Sequence, residues 1–118
     1  MGVLPREVGL LPLRNSVLFP GGVLPLTVSR AATIRSLTDA ASRDGLIGVV
    51  AQRDAFDELP GAGALFNVGV IAQVVKLVKY PTHCETVLQG FSRFRTVATV
   101  RETPFLTASI ESFGWDRR

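Results

Sequence analysis

The chain has 118 residues, of which 47% are hydrophobic and 19% are charged. This length suits one domain with a single core, and the composition excludes the charge-rich, apolar-poor balance of disordered chains. The formal net charge is +3, but Arg117 and Arg118 carry two of those charges, and the other basic residues are scattered. Because a nucleic-acid surface needs basic residues gathered on one face, the charge alone does not indicate one.

Nothing in the sequence predicts export or membrane insertion. Cys84 is the only cysteine and cannot form an internal disulfide, so no oxidising compartment is indicated. Apolar runs such as Val68–Val75 are far shorter than the roughly 18 residues that a membrane span needs. The first apolar segments are broken by Pro5 and Pro12, unlike a signal peptide. We therefore expect a cytoplasmic protein.

The first part of the chain predicts three short strands. Leu10–Leu13 and Val17–Phe19 are short apolar segments, and the turn signal Pro20-Gly21-Gly22 ends the second. Val23–Val28 is rich in β-forming residues but contains Pro25. Since proline cannot donate a hydrogen bond to a central ladder, this third strand is expected at a sheet edge or a bulge, where partners have access to it.

One helix is predicted between Ser29, a candidate N-cap, and Gly45, a candidate left-handed residue at its end. Its apolar stripe has steps of three and four residues and is expected to cover the sheet. The stripe consists of Ala31, Ile34, Leu37 and Ala41.

The second half of the chain predicts three further strands after a central one. Leu46–Ala51 is continuously apolar, as in a strand covered on both faces. Asp54–Gly63 carries acids, Pro and Gly and is expected to be a mobile surface loop. The remaining strands are Val68–Tyr80, Glu85–Val100, which is expected to bend at Gly90, and Phe105–Phe113. Together these elements predict a mainly β, α+β fold with one α-helix and a bent sheet of about six strands.

The sequence assigns no catalytic residue, no cofactor site and no metal site. The glycine-rich segment Pro60–Ala64 lacks the Lys and Ser or Thr of a phosphate-binding loop. His83 and Cys84 are adjacent, and neighbouring strand residues point to opposite faces, which disfavours both a zinc site and a Cys-His pair. We expect His83 to be an exposed turn residue and Cys84 a small buried hydrophobic residue.

Phe91–Arg95 alternates aromatic and cationic residues, as single-stranded nucleic-acid surfaces do. On a strand, however, Phe91, Arg93 and Arg95 share one face, and Ser92 and Phe94 share the other. A packed Phe94 beneath exposed arginines is therefore favoured over an RNA contact.

The chain contains more apolar residues than one helix can cover, and several lie in segments that should be accessible. An exposed apolar patch beside an edge strand suits the binding of an extended, unfolded polypeptide. For each residue taken singly, a place in the core is an equal alternative. The candidate binding residues are Phe19, Leu24, Pro25, Leu88 and Phe91.

Segments from Leu11–Pro20 to Leu88–Phe94, taken together in chain order, resemble the N-terminal substrate-recognition domain of Lon-type ATP-dependent proteases. Leu11–Pro20 is similar to the opening signature of that family, in which Leu-Pro-Leu-Arg precedes an apolar pair and a proline. Leu88–Phe94 is similar to its return strand with a Gly-x-x-Arg pattern. Further similar segments are Pro25–Arg30, Ile34–Leu37, Val49–Arg53 and Leu65–Ala72. The chain departs from the family at Pro81–Cys84, where Pro-Asp-Gly-Thr is usual, and at Ser29, where Gly is frequent.

The resemblance implies a single domain over residues 1–118, with the signature over about 10–113 and a tail or linker beginning at 114–118. It implies a partly closed pseudo-barrel similar to pseudouridine-synthase-associated (PUA-like) modules. The implied function is substrate recognition and assembly in an ATP-dependent protease, through binding of hydrophobic segments of unfolded or damaged proteins. The implied partners are the ATPase and peptidase modules of a longer Lon chain and other protomers of a hexamer. The Ser-Lys peptidase module of the family has no counterpart in these residues, so the chain itself is not expected to be an enzyme. A free-standing Lon-domain adaptor and a PUA-like RNA-binding module are the alternatives.

Overall fold

A computed structural model describes residues 7–14, 16–53, 63 and 65–113 of the chain. Its elements, in chain order, are β1 (Glu7–Leu13), β2 (Val23–Val28), α1 (Ala31–Ala41), β3 (Leu46–Ala51), β4 (Val68–Lys79), β5 (Cys84–Arg101) and β6 (Thr107–Phe113). The predicted mainly β fold with one helix is confirmed for these residues. The tail predicted over 114–118 lies outside the described residues, as does the predicted loop over Asp54–Gly63 except for Gly63.

Strand β5 organises the sheet because it pairs with three other strands. One edge of β5 pairs with β4 from Cys84 to Arg95. Its other edge pairs first with β2, over residues 84–89, and then with β6, from Arg93 to Arg101. Since β6 also pairs with β1, β1 with β3, and β3 with β4, five strands close into a ring. The β2 strand stays outside this ring at the sheet edge, where Pro25 predicts it.

The interior of the ring is filled by side chains from all five of its strands. We call this cluster the ring core; it comprises Val8, Leu10, Val50, Leu65, Ile71, Phe94, Leu106 and Ala108. Phe94 is fully buried at its centre and lies opposite Gly69 of β4. A Cβ atom at Gly69 would lie 2.9 Å from the Phe94 ring, so the glycine makes room for the aromatic side chain. Because the ring is packed in this way, a ligand must bind outside it.

A second core lies between the ring and α1. We call it the helix-side core; its buried members are Leu11, Leu13, Leu18, Leu37, Ala40, Ile47, Val49, Val70, Ala72, Cys84 and Leu88. Strand β3 serves both cores, since Ile47 and Val49 belong to the helix-side core and Val50 to the ring core. The predicted central strand with two covered faces is therefore confirmed at β3.

The ends of α1 differ in detail from the prediction. Ser29 is not the N-cap, because Arg30 occupies that position with extended backbone and without a side-chain cap hydrogen bond. The Arg30 carbonyl accepts the first helical bond from the amide of Ile34, at 3.0 Å. Gly45 does adopt a left-handed conformation, with φ of +78°, and its amide donates to the carbonyl of Ala40 at 2.7 Å. The glycine thus turns the chain from α1 into β3.

The apolar stripe predicted for α1 is largely wrong. Ala31 and Ala41 are exposed and Ile34 is half-buried, so only Leu37 is buried as expected. The buried face instead consists of Thr33, Ser36, Leu37 and Ala40. The Ser36 hydroxyl occupies the space that a Cβ atom at Gly9 of β1 would need. This close approach between helix and strand favours small side chains over larger apolar ones.

The strand predicted over Val17–Phe19 is also wrong, because these residues form a segment without a ladder partner. The edge of β5 is occupied by β2 up to residue 89 and by β6 from residue 93, which leaves a short gap between them. The turn that follows Phe19 fills this gap. The Gly21 amide donates to the Gly90 carbonyl at 2.9 Å, and the Gly90 amide donates to the Gly22 carbonyl at 2.8 Å.

The bend predicted at Gly90 is present as a register shift, in which Phe91 is the extra residue between two ladder pairs, Ile71 with Ser92 and Ala72 with Gly90. Before this bulge Leu88 packs in the helix-side core, and after it Phe94 packs in the ring core. A single long strand therefore contributes to both cores. None of the helices in the described part of the chain reaches the length and apolarity needed to cross a membrane.

Candidate functional site

An open cleft lies where the segment 16–20 crosses the ends of β3 and β4. Its volume is about 200 Å³, and it is lined by Leu13, Ser16, Val17, Leu18, Phe19, Pro20, Val49, Ala51, Val68, Gly69, Val70 and Arg93. Small-molecule pockets usually hold roughly 300–1,000 Å³. This cleft is smaller than that and open to solvent, so its dimensions suit one or two side chains of a polypeptide.

The mouth of the cleft is formed by exposed apolar side chains. Val17 is 65% exposed, Phe19 is 62% exposed and Val68 is 46% exposed. Leu18, between the first two, is buried in the helix-side core and anchors the segment. Because large contiguous apolar patches are uncommon on the surface of monomers, this arrangement indicates a contact surface.

The segment 16–20 forms one wall of the cleft, and this wall rests directly on β5. A Cβ atom at Gly90 would lie 2.5 Å from the carbonyl oxygen of Phe19 and 3.3 Å from the Leu18 side chain. In addition, the Gly22 amide closes the turn by donating to the Phe19 carbonyl at 2.8 Å. These close backbone contacts hold the wall in place, so the cleft is formed before any ligand arrives.

Arg93 supplies the only charge among the described residues that line the cleft. On β5 it lies opposite Val70 of β4 and Phe113 of β6, neither of which is acidic. Arg95, two residues further on, lies opposite Glu111 and forms an ion pair with it. Within the described ranges, the exposed Arg93 side chain makes no ion pair or hydrogen bond. The cleft therefore combines apolar walls with one unneutralised guanidinium group.

The residues predicted to bind polypeptide do not all reach the surface. Phe19 and Phe91 are exposed, and Pro25 is exposed on β2. Leu24 is half-buried and packs against the helix-side core. Leu88 is 0% exposed, so its prediction as an accessible contact is wrong. It is inaccessible because β5 directs it into the helix-side core, opposite Leu24 of β2.

Only part of the predicted set comes together. Phe19 lies at the cleft, and Phe91 follows Gly90, on which the turn after Phe19 is docked. Pro25 instead borders a separate, more polar depression with Lys76 and Glu85. The predicted patch is therefore divided, because Phe19 and Phe91 lie close to the turn that docks on Gly90, whereas Pro25 lies at the separate depression.

Two residues of the cleft mouth, Val17 and Val68, were not among the predicted binding residues. Val17 and Phe19 flank the buried Leu18. In this short segment, alternate side chains are buried and exposed, and that pattern could have indicated that Val17 is exposed together with Phe19. Val68 is the first residue of β4, and the end of a strand has fewer neighbouring strand residues to cover a side chain. That signal depends on where β4 starts relative to the 16–20 segment, which the sequence does not show.

The titratable groups of the described residues do not form a reactive cluster. No group of three or more His, Cys, Asp or Glu in this part of the chain is placed to hold a metal ion. His83 stacks on Tyr80 at the β4–β5 turn, with ring centroids 4.8 Å apart. Cys84 is fully buried, and this burial raises the pKa of its thiol, while nearby Lys79 partly offsets the increase. A buried, protonated thiol is a poor nucleophile.

Comparison with known proteins identifies relatives of the whole described domain. The family model for the substrate-binding domain of ATP-dependent protease La (LON) matches residues 7–117. The Lon protease of Anaeromyxobacter dehalogenans (strain 2CP-C) is 49% identical over 110 residues, which cover 92% of this chain and 13% of that protein. Lon protease 2 of Myxococcus xanthus is 48% identical over 110 residues, with the same coverage of 92% and 13%. The chain thus spans about an eighth of the length of these relatives.

Solved structures show the same fold. The N-terminal domain of the Mycobacterium avium complex Lon protease superposes with a TM-score of 0.72 at 16% identity, covering 95% of this chain and 57% of that one. A Lon N-terminal domain protein from Xanthomonas campestris superposes with a TM-score of 0.70 at 21% identity, covering 94% of this chain and 62% of that one. At these identities, the likeness establishes the partly closed, six-stranded architecture.

Proposed function

Because the chain belongs to the family of substrate-binding domains of ATP-dependent protease La (Lon), we propose that it recognises substrates by capturing exposed hydrophobic segments of unfolded or damaged proteins. The observation that carries this proposal is the preformed cleft with Val17, Phe19 and Val68 exposed around it. In this proposal the domain binds and does not cleave. The ATPase and peptidase modules belong to other parts of a longer Lon chain, assembled as a hexamer.

Capture follows from the shape and chemistry of the cleft. A folded protein keeps its large apolar side chains inside, whereas an unfolded one presents them on an extended backbone. One such side chain can enter between Phe19 and Val68, and its burial contributes about 1.5–3 kcal/mol. Because a Kd of 1 mM needs about 4.1 kcal/mol, a single contact of this size, reduced by the loss of translational and conformational freedom, leaves a Kd of about 5 mM or weaker.

Weak binding at one cleft is compatible with efficient recognition by an assembly. If several protomers display the same cleft, successive apolar segments of one unfolded chain can bind at the same time. The second contact is then intramolecular, and avidity exceeds the affinity of each cleft by about a hundredfold or more. A folded protein with one accidental surface hydrophobe would not gain this advantage, so the proposed arrangement favours unfolded substrates.

The alternative functions have less support. An RNA-binding surface over Phe91–Arg95 would need both arginines available for phosphates, but Arg95 is already paired with Glu111. A free-standing adaptor would share this fold. The Lon proteases that the chain matches at 48–49% identity are far longer than the chain, which favours a part of a larger protease.

The proposal is tested with a double variant of the cleft mouth, Val17→Ser with Phe19→Ser. The matched control is Val75→Ser with Tyr80→Ser, which removes one exposed valine and one exposed aromatic side chain in and just after the second half of β4, away from Val68. Binding of fluorescently labelled, reduced and carboxymethylated α-lactalbumin is measured by anisotropy at 0.15 M salt. We expect about a tenfold loss of affinity in the cleft variant, equivalent to ~1.4 kcal/mol, and no change in the control.

Thermal unfolding of both variants shows whether the fold is retained, since all four substituted side chains are exposed. A folded cleft variant that binds the unfolded protein as tightly as the original chain would contradict the proposal. Equal losses in the two variants would contradict it as well, because the binding surface would then not be the cleft.

A further inference from the structure

We propose that Arg93 makes the cleft selective for hydrophobic segments that carry an Asp or Glu side chain close to the apolar anchor. This inference rests on the proposed function of the cleft and adds the chemistry of the segment that it prefers. It follows from the position of Arg93 in the cleft and from the contrast between Arg93 and Arg95.

The two arginines occupy equivalent positions on β5 but differ in their neighbours. Arg95 lies across the ladder from Glu111 of β6, which neutralises it. Arg93 lies across from Phe113 of β6 on one side and Val70 of β4 on the other. The ladder therefore places a glutamate opposite Arg95 on β6 and no acidic residue opposite Arg93 on either β4 or β6.

Among the residues that the structure describes, no acidic side chain lines the cleft, and the lining residues other than Arg93 are apolar except for Ser16. Apolar walls exclude water on one side of the guanidinium group, which strengthens its interaction with a carboxylate relative to a fully exposed pair. A guanidinium group is weakly hydrated and can bind a carboxylate through two parallel hydrogen bonds. A bound segment with a carboxylate at the rim would supply the partner that Glu111 supplies to Arg95.

The geometry of an extended peptide determines where the carboxylate must lie. Side chains two residues apart point to the same side of an extended chain, about 6.5 Å apart. An acidic residue two positions from the apolar anchor therefore reaches the rim while the anchor occupies the cleft. A basic residue at that position would face Arg93 and be repelled.

The test uses three peptides of the same length with acetylated and amidated ends, so that no terminal carboxylate is present. Each contains one Phe anchor, and the residue two positions after it is Glu, Gln or Lys. Affinities for the original chain, Arg93→Gln and Arg101→Gln are measured at 0.05 M and 0.5 M salt. Arg101 is an exposed residue at the far end of β5, so its variant loses the same charge away from the cleft.

At low salt we expect the Glu peptide to bind the original chain about two- to fivefold more tightly than the Gln peptide, with the Lys peptide weakest. The differences should shrink at high salt, where screening is stronger. In Arg93→Gln the Glu and Gln peptides should bind equally, while Arg101→Gln should keep the original ranking. Arg93→Lys should retain a reduced preference, because the charge remains without the two-pronged geometry.

The outcomes separate this inference from the proposed function. If the Gln peptide binds the original chain and the Glu peptide binds no better, the cleft function stands and the role of Arg93 is refuted. The same conclusion follows if the preference survives in Arg93→Gln or disappears in Arg101→Gln. If none of the peptides binds even at concentrations of about 50 mM, the proposed function of the cleft fails, and the inference fails with it.

Discussion

Replacement of Gly90 by alanine tests how the cleft wall is held. The new Cβ atom would lie 2.5 Å from the Phe19 carbonyl oxygen and 3.1 Å from a methyl group of Val70. The first contact is with backbone and cannot be relieved by a side-chain rotation. We therefore expect the 18–22 segment to move away from β5.

The expected loss of stability follows from the contacts that this movement breaks. Two backbone hydrogen bonds join Gly90 to Gly21 and Gly22, each with a net value of about 1 kcal/mol. Partial exposure of Leu18, now buried in the helix-side core, adds about 1–2 kcal/mol. The free energy of unfolding should fall by about 3–4 kcal/mol if these contacts are lost in full, and by less if the 18–22 segment shifts without breaking all of them.

The assay is urea denaturation followed by far-UV circular dichroism, with Gly63→Ala as the matched control. A Cβ atom at Gly63 meets no heavy atom within 4 Å, so this variant should stay within about 0.5 kcal/mol of the original chain. Binding of unfolded polypeptide should weaken in Gly90→Ala, because the Phe19 side of the cleft is displaced. If Gly90→Ala is as stable as Gly63→Ala, the docking of the wall on β5 does not have the energetic role described above.

Two further predictions concern buried residues. Leu88→Asp places a carboxylate in the helix-side core and should destabilise the domain by more than about 4 kcal/mol. The control Val23→Asp changes an exposed residue of β2, and circular dichroism should show that it stays folded. A Leu88→Asp variant as stable as the original chain would show that Leu88 is not buried. Burial raises the pKa of the Cys84 thiol above its ordinary 9.0, so the folded state keeps this proton at a pH where the unfolded state loses it. The stabilisation is complete below about pH 9 and declines above it, and therefore the stability of the original chain relative to Cys84→Ala should fall as the pH rises above about 9 in urea titrations. A pH-independent difference between these two proteins would contradict that burial.

Much of the fold could be predicted because local signals determine it. Pro25 indicates an edge strand, and β2 is at the sheet edge. Gly45 indicates the left-handed turn into a central strand, and both are present. The alternation of Ser92 and Phe94 with exposed neighbours also predicts their burial on β5. In each case the residue type restricts the backbone conformation or the strand face at that position, and this restriction does not depend on contacts with distant segments.

The features that could not be predicted depend on contacts between distant segments. The buried face of α1 carries Thr33 and Ser36 because Gly9, on a different strand, lets the helix approach closely. The accessibility of Leu88 depends on which core β5 faces before its bulge. Apolarity alone does not distinguish this buried leucine from an exposed one.

The cleft shows the same limit. Phe19 could be predicted as a contact because it precedes a glycine turn at an accessible position. Its neighbour in the cleft, Val68, comes from β4, and Arg93 comes from β5. Only the docking of the turn on Gly90 brings the three residues to one place.

The most direct test of the central claim is site-specific photo-crosslinking at the cleft. A benzophenone amino acid replaces Phe19 in one protein and the exposed Val75 of β4 in another, and each is irradiated with unfolded or native α-lactalbumin. The account predicts strong crosslinking of the unfolded protein from position 19, with little from position 75 and little of the native protein from either position. Equal crosslinking from both positions, or crosslinking of native and unfolded protein alike from position 19, would contradict capture by this cleft.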